Sequence, residues 1–188
     1  MNGQHLHRRA SSVTLIVILI LWMAGPGFLH ASEERHITLL EDGEYFQAFM
    51  RAVDGAKSEI VMSFFLFKTN GYSTNRPDRV MAALGRAVER GVRIRIILER
   101  GNGGEDSSVD ASNRETAARL REKGINVIFD SPRVTTHTKA AVIDGRYIFL
   151  GSHNLTNSAL KYNRELSVCI DSPPLAEEVL RYINSLDE

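Results

Sequence analysis

His137-Thr138-Lys139-Ala140-Ala141-Val142-Ile143-Asp144-Gly145-Arg146-Tyr147-Ile148-Phe149-Leu150-Gly151-Ser152-His153-Asn154 carries a folding signal and a chemical one at once. Two apolar runs, 138–143 and 146–150, flank Asp144-Gly145, a dipeptide suited to a two-residue hairpin turn. In such a turn Ile143 pairs with Arg146, and counting back sets Ser152 opposite His137. Residues two apart on a strand share a face, with Cα atoms about 7 Å apart. That register gathers His137, Lys139, Ser152 and Asn154 around one small volume; a bulge would move the count by one residue. His153 alternates to the opposite face and reads as structural. His36 has no partner pattern.

Upstream of the hairpin, apolar runs alternate with helical patterns. Strands are expected at 37–40, 59–67, 92–98 and 125–129, and helices at 43–56, 79–90 and 111–123. Tyr45, Phe46, Phe49 and Val53 recur at helical spacing, as do Val80, Leu84, Ala87 and Val88. Gly91 and Gly124 are placed to stop their helices. Downstream, a short helix at 155–160, a strand at 165–170 and a helix after Pro173-Pro174 complete the chain. This rhythm predicts a single-domain α/β fold, a mixed and largely parallel sheet with helices on both faces. Polar loops at 69–78 and 101–110 follow strand ends, where open α/β sheets hold ligands; as surface loops they need no such role.

The chain has 188 residues and a formal net charge of zero. Residues 1–31 stand apart. They hold Arg8 and Arg9, no acidic residue, an apolar run at 13–24 and a small-residue region ending near Ala31. This is the pattern of a secretory signal peptide, and an apolar stretch extended over 13–29 would instead serve as an N-terminal membrane anchor. The expected location is therefore exported, either periplasmic or secreted, or membrane-anchored. Residues 32–188 then form the functional domain, with 21 basic and 23 acidic residues. Bulk electrostatics cannot hold nucleic acid to such a chain, so any phosphate recognition is local. Cys169 is the only cysteine, which excludes an intrachain disulfide and cysteine-rich zinc sites.

The residues around His137 suit phosphodiester chemistry. A fixed ammonium and neutral donors can hold an anion and stabilise a pentavalent transition state. An imidazole can attack phosphorus and split hydrolysis into two easier steps. Its other nitrogen needs an acceptor, for which Glu165 is the candidate. Simpler readings exist for single positions: Asp144 as turn chemistry, Gly151 as a strand end, Asn154 as a cap for the helix at Leu155.

Taken together, the order H-x-K-x4-D-x6-G-S-x-N resembles the signature of the phospholipase D superfamily. His137, Lys139, Asp144, Gly151, Ser152 and Asn154 match it without a gap, and the resemblance extends over most of residues 36–188. Leu98-Glu99-Arg100-Gly101-Asn102 and Asn163-Arg164-Glu165 are similar to the small bacterial endonucleases of this group. The resemblance implies a phospholipase D/nuclease-like fold and a catalytic set of His137, Lys139, Asp144 and Glu165. In it His137 is the nucleophile, Glu165 orients His137, and Asp144 supports. Lys139, Ser152 and Asn154 bind phosphate. No metal and no cofactor are implied. Larger members carry two motifs and this chain one, so the resemblance also implies a homodimer with the active site at its twofold interface.

The expected function is a metal-independent phosphodiesterase, a non-specific endonuclease on DNA with RNA as a second substrate, working through a phosphohistidine. A cardiolipin-type phospholipase uses the same core and is the first alternative; it would meet a membrane if the N-terminal segment were retained. A non-catalytic nucleic-acid-binding module is the second, and intact His137 and Lys139 argue against it.

Overall fold

The computed structural model describes residues 36–101 and 108–187. The signal or anchor at 1–31 and most of the glycine-rich loop therefore lie outside the described residues. The strands are β1 (His36–Glu41), β2 (Glu59–Phe64), β3 (Arg93–Leu98), β4 (Asn126–Phe129), β5 (Lys139–Ile143), β6 (Tyr147–Gly151) and β7 (Leu166–Asp171). The helices are α1 (Gly43–Gly55), α2 (Arg76–Glu89), α3 (Ser108–Arg121), α4 (Asn157–Lys161) and α5 (Pro173–Asn184), followed by a 3₁₀ turn at Ser185–Asp187.

All seven strands join one sheet in the order β1-β7-β6-β5-β2-β3-β4. It is mixed, as expected, but its parallel part is smaller than expected. Only β2–β3 and β3–β4 are parallel; β1–β7, β7–β6, β6–β5 and β5–β2 are antiparallel. The cause lies between β4 and β5. A parallel return needs a crossover of about a dozen residues or more, usually a helix. The stretch 130–138 contains no helix, and it delivers β5 antiparallel against β2.

Strand alternation divides the core in two. Ile60, Met62 and Phe64 of β2, Ile96 and Leu98 of β3 and Ala141 and Ile143 of β5 pack with α1 to α4. Val61, Ile97, Ala140 and Val142 face the other way and pack with Ala176 and Ile183 of α5. In α1 the expected stripe Tyr45, Phe46, Phe49 and Val53 is buried, and each such side chain contributes roughly 1.5–3 kcal/mol. Helix α2 starts three residues before its expected beginning because Pro77 suits a first turn.

The hairpin register differs from the expected one. Ile143 pairs with Tyr147 and Ala140 with Leu150, which makes a three-residue turn. Asp144 stays in the ladder with β2, donating its N–H to the Glu59 carbonyl at 2.9 Å, and its carboxylate accepts from the backbone of Lys57, Ser58 and Glu59. Asp144 and Gly145 are nevertheless the central residues of the turn, at φ 54° and 60°, closed by the Arg146 N–H on the Ile143 carbonyl at 3.1 Å; the ladder resumes one residue late, at Tyr147, the shift a bulge gives. Ser152 does not face His137 across the hairpin. It turns to β7 instead, donating its N–H to the Leu166 carbonyl at 3.1 Å.

Candidate active site

His137 and Lys139 sit where β5 begins, beside the end of β2. The backbone there is fixed on the β2 side, since the Phe65 N–H donates to the Thr138 carbonyl at 2.8 Å. The exposed His137 ring meets Phe65 edge-on, with centroids 4.5 Å apart. The Lys139 ammonium lies 5.0 Å from the same ring and donates to the His137 carbonyl at 2.8 Å. Phe65 thus forms one wall for both groups. Burial lowers the Lys139 pKa, and the negative charge of Glu165 opposes that change, so Glu165 belongs to the same electrostatic neighbourhood.

The second half of the site comes from the segment between β6 and β7. The Ser152 hydroxyl donates to Glu165 and accepts the Leu166 N–H at 3.1 Å. The Asn163 amide donates to the other Glu165 oxygen at 3.0 Å. Glu165 was expected to orient His137; within this chain its two oxygens are instead taken by Ser152 and Asn163. Asn154 is half-buried, and its amide oxygen is enclosed without a hydrogen-bond partner among the described residues. It does not cap the following helix. Thr156 does, accepting the Ala159 N–H at 3.1 Å, while Leu155 bridges to Phe67.

Gly151 has a steric reason. A Cβ there would lie 2.1 Å from Ser167 Oγ and 2.4 Å from Ser167 Cα, so no side chain fits between β6 and β7. His153 is structural, as expected. It is fully buried, bonded through Nδ1 to Ser167 Oγ at 2.7 Å and through Nε2 to the Asp42 carbonyl at 2.8 Å, and stacked on Tyr45 with centroids 4.4 Å apart. Burial pushes its pKa down.

Asp144, grouped with the catalytic residues on the strength of the motif, is placed apart from them. It lies five residues beyond Lys139, about 16 Å at the rise of a strand. Burial raises its carboxyl pKa, but the N–H groups of Ser58, Lys57 and Glu59 and the Ser58 hydroxyl outweigh that and hold it below the usual range. Its role is to clamp the α1–β2 connection to the hairpin.

Some contributors escaped the sequence reading. Phe65 looked like ordinary strand filler. Asp42 holds the Glu165 segment from both sides, accepting its N–H at 2.9 Å and donating to its carbonyl at 3.0 Å. It does so at φ 47°, a conformation non-glycine residues seldom adopt, and no sequence pattern announces it. The 69–78 loop, considered for ligand binding, is pinned on Asp78, which accepts from Asn70, Gly71 and Arg119 at 2.9–3.0 Å.

Charges of both signs meet at this end of the sheet. Among the described residues there, Lys68, Arg100, Arg133, Lys161 and Arg164 are exposed, as are Glu41 and Glu44; Arg164 lies 3.8 Å from Asp42, and Glu99 and Asp130 are buried. An imidazole, an ammonium and a hydroxyl share this end, and these are groups that can hold and attack an anionic diester.

Comparison with known proteins agrees with this geometry. Residues 49–186 match the family described as "Cardiolipin synthase, PLD-like domain". The chain is 29% identical over 133 residues to cardiolipin synthase A of Proteus mirabilis, covering 71% of this chain and 25% of that protein. It is 32% identical over 120 residues to the mitochondrial cardiolipin hydrolase of Mus musculus, covering 62% of this chain and 46% of that one. It thus spans between a quarter and a half of these relatives. Among solved structures, Nuc, a phospholipase D family member from Salmonella typhimurium, superposes with a TM-score of 0.67 at 27% identity, over 81% of this chain and 94% of Nuc. Motif, fold and family match converge on one statement: the chain belongs to the phospholipase D superfamily.

Proposed function

We propose that this protein is a phosphodiesterase, and specifically a metal-independent endonuclease acting on DNA, with RNA as a further substrate. The observation that carries the reading is the joining of His137 and Lys139 on Phe65, with Ser152 and Glu165 linked at the same end of the sheet. In this mechanism the neutral His137 imidazole attacks phosphorus. A P–N bond forms, the P–O bond to the leaving group breaks, and a second imidazolium protonates the departing oxygen. Water then attacks the phosphohistidine, giving its proton back to that imidazole and releasing His137. Lys139, Ser152 and Asn154 bind the phosphate oxygens. These are cationic or neutral donors, whereas a divalent ion would call for grouped carboxylates.

One imidazole cannot be base-like and acid-like at once. The second comes, in this reading, from another copy of the chain, in a homodimer whose twofold axis passes by the His137–Lys139 end. The N-terminal apolar run supports an exported protein.

The nuclease reading draws on the superposition with Nuc, at a TM-score of 0.67 and 27% identity over 94% of that chain. The lipid alternative draws on the similarity to cardiolipin enzymes and on exposed Ile37, Leu39 and Leu166. Incubating the protein with plasmid, single-stranded DNA, RNA and cardiolipin vesicles, each with and without EDTA, separates them. EDTA-resistant nicking of plasmid supports the proposal; release of phosphatidic acid without nicking overturns the nuclease assignment.

A further inference from the structure

Beside the segment that leads into His137 two carboxylates meet, with no cation paired to them among the described residues. Glu99 is the first residue after β3 and Asp130 the first after β4, and the parallel register that pairs Leu98 with Phe129 sets them side by side. Both are buried, at 2% and 3% exposure. Glu99 accepts the Gly101 N–H on Oε1 at 3.0 Å and the Thr136 N–H on Oε2 at 2.5 Å. Asp130 Oδ1 accepts the Arg100 N–H at 2.8 Å. Asp130 Oδ2 is enclosed and receives no donor from the described residues. Among the described residues, neither carboxylate has an arginine or lysine ion-pair partner.

Two buried carboxylates in contact cannot readily both ionise. Burial raises the Glu99 pKa, and the contact with Asp130 adds to it against the opposing N–H bonds. One proton therefore belongs between them. Both Glu99 oxygens accept N–H donors, whereas among the described residues Asp130 Oδ2 accepts none, so that oxygen is the one open to the contact between the two acids.

The position of this pair gives it a task. Thr136 immediately precedes His137, in a connection without regular secondary structure. On the far side Thr138 is tied to β2 through the Phe65 N–H; on the near side the tie runs from Thr136 to Glu99. We propose that the Glu99–Asp130 acid pair, holding one proton between its carboxyls, is the positioning element that fixes His137 for attack through the Thr136 N–H. The inference rests on His137 being the nucleophile. Displacing an attacking group by about 1 Å can cost on the order of a hundredfold in rate.

The two acids should respond differently to amide substitution, measured in the full chain. Asp130→Asn keeps a side chain that can donate to Glu99 and accept from Arg100. Glu99→Gln turns one acceptor into an NH₂ group facing a backbone N–H. With bis(4-nitrophenyl) phosphate, whose leaving group needs no protonation, Asp130→Asn should keep kcat within about threefold, while Glu99→Gln should lose about thirtyfold or more with KM within about twofold. Independently of activity, the ring resonances of His137 should move in Glu99→Gln and stay in Asp130→Asn, with those of His153 unmoved in both. Glu99→Gln with unchanged kcat and an unmoved His137 resonance overturns the positioning role, and Asp130→Asn falling as far as Glu99→Gln overturns the proton placement. Thr136→Pro deletes the donor itself and decides the matter if Glu99→Gln does not fold: a similar kcat loss supports the tie, and unchanged turnover overturns it. A wild-type chain inactive on the diester would instead remove the phosphodiesterase reading, and the resonances alone would then judge the acid pair.

Discussion

The ammonium of Lys139 is bonded to the backbone carbonyl of His137, 2.8 Å away. The ammonium is thus held by the backbone two residues before it, and under the proposed function it exchanges that carbonyl for a phosphate oxygen. Lys139→Met should lower kcat/KM by about a hundredfold or more. Its stability should hold or rise. Burial lowers the folded pKa of this lysine, so its charge destabilises the fold at neutral pH, and that cost is relieved as pH rises through the folded value. The activity of the wild type should accordingly decline on the alkaline side at a pH below the ordinary lysine range, a limb that Lys139→Arg shifts upward.

His137→Ala should abolish turnover, by about 10³-fold or more, and leave the melting temperature nearly unchanged. The ring is exposed and touches only Phe65 among aromatic neighbours, so little packing is lost. A variant retaining over a tenth of wild-type activity would refute the nucleophile assignment.

Gly151→Ala should cost about 2 kcal/mol or more in chemical denaturation, because the added methyl overlaps Ser167. Ser167→Ala should restore little of it, since the Ser167 Cα is nearly as close as the hydroxyl. Full rescue by the second substitution would show that β6 and β7 can separate.

Asp144→Asn should act on stability and not on chemistry. It weakens a carboxylate that receives backbone donors from Lys57, Ser58 and Glu59, with an expected loss of about 2 kcal/mol and little change in kcat. The folded carboxyl titrates below its usual value, so its contribution is present above a pH of about 4 and disappears as pH falls through the lower folded value. Wild type and variant should therefore converge in stability in acid. A large kcat loss with unchanged stability would return Asp144 to the catalytic set.

Mixing wild-type with His137→Ala chains tests the shared site. If two imidazoles are needed, heterodimers should be nearly inactive, and sedimentation should report a dimer. Heterodimers with half the wild-type activity would show that each chain works alone.

The sequence made the chemistry more legible than the geometry. His137, Lys139, Ser152 and Glu165 reach one end of the sheet because strand alternation and a short return segment put them there, and both are readable from residue patterns. The Asp144-Gly145 turn was legible, but the one-residue shift of the ladder after it was not, and neither was the hold on Asp144 from residues eighty-odd positions upstream, which a local dipeptide rule does not know of. The proportion of parallel pairing was overestimated for a related reason. The segment after Phe129 could have reached β5 by either direction of approach, and only its lack of a helix decided. Phe65, Asp42 and the Glu99–Asp130 contact act through neighbours distant in sequence.

The two-sided clasp between Asp42 and Glu165 also bears on how small a working version of this protein can be. β1 is an outermost strand with most of its residues exposed, and a trimming strategy guided by surface area would discard it first. Yet the residue at its end secures the loop that carries Glu165 and takes the Nε2 bond of His153. A fragment beginning after Asp42 would keep the whole motif and lose the fastening of half the site. Under the proposed function the minimal active unit therefore includes Asp42, and versions without it should bind phosphate poorly while still folding around β2, β3 and β5.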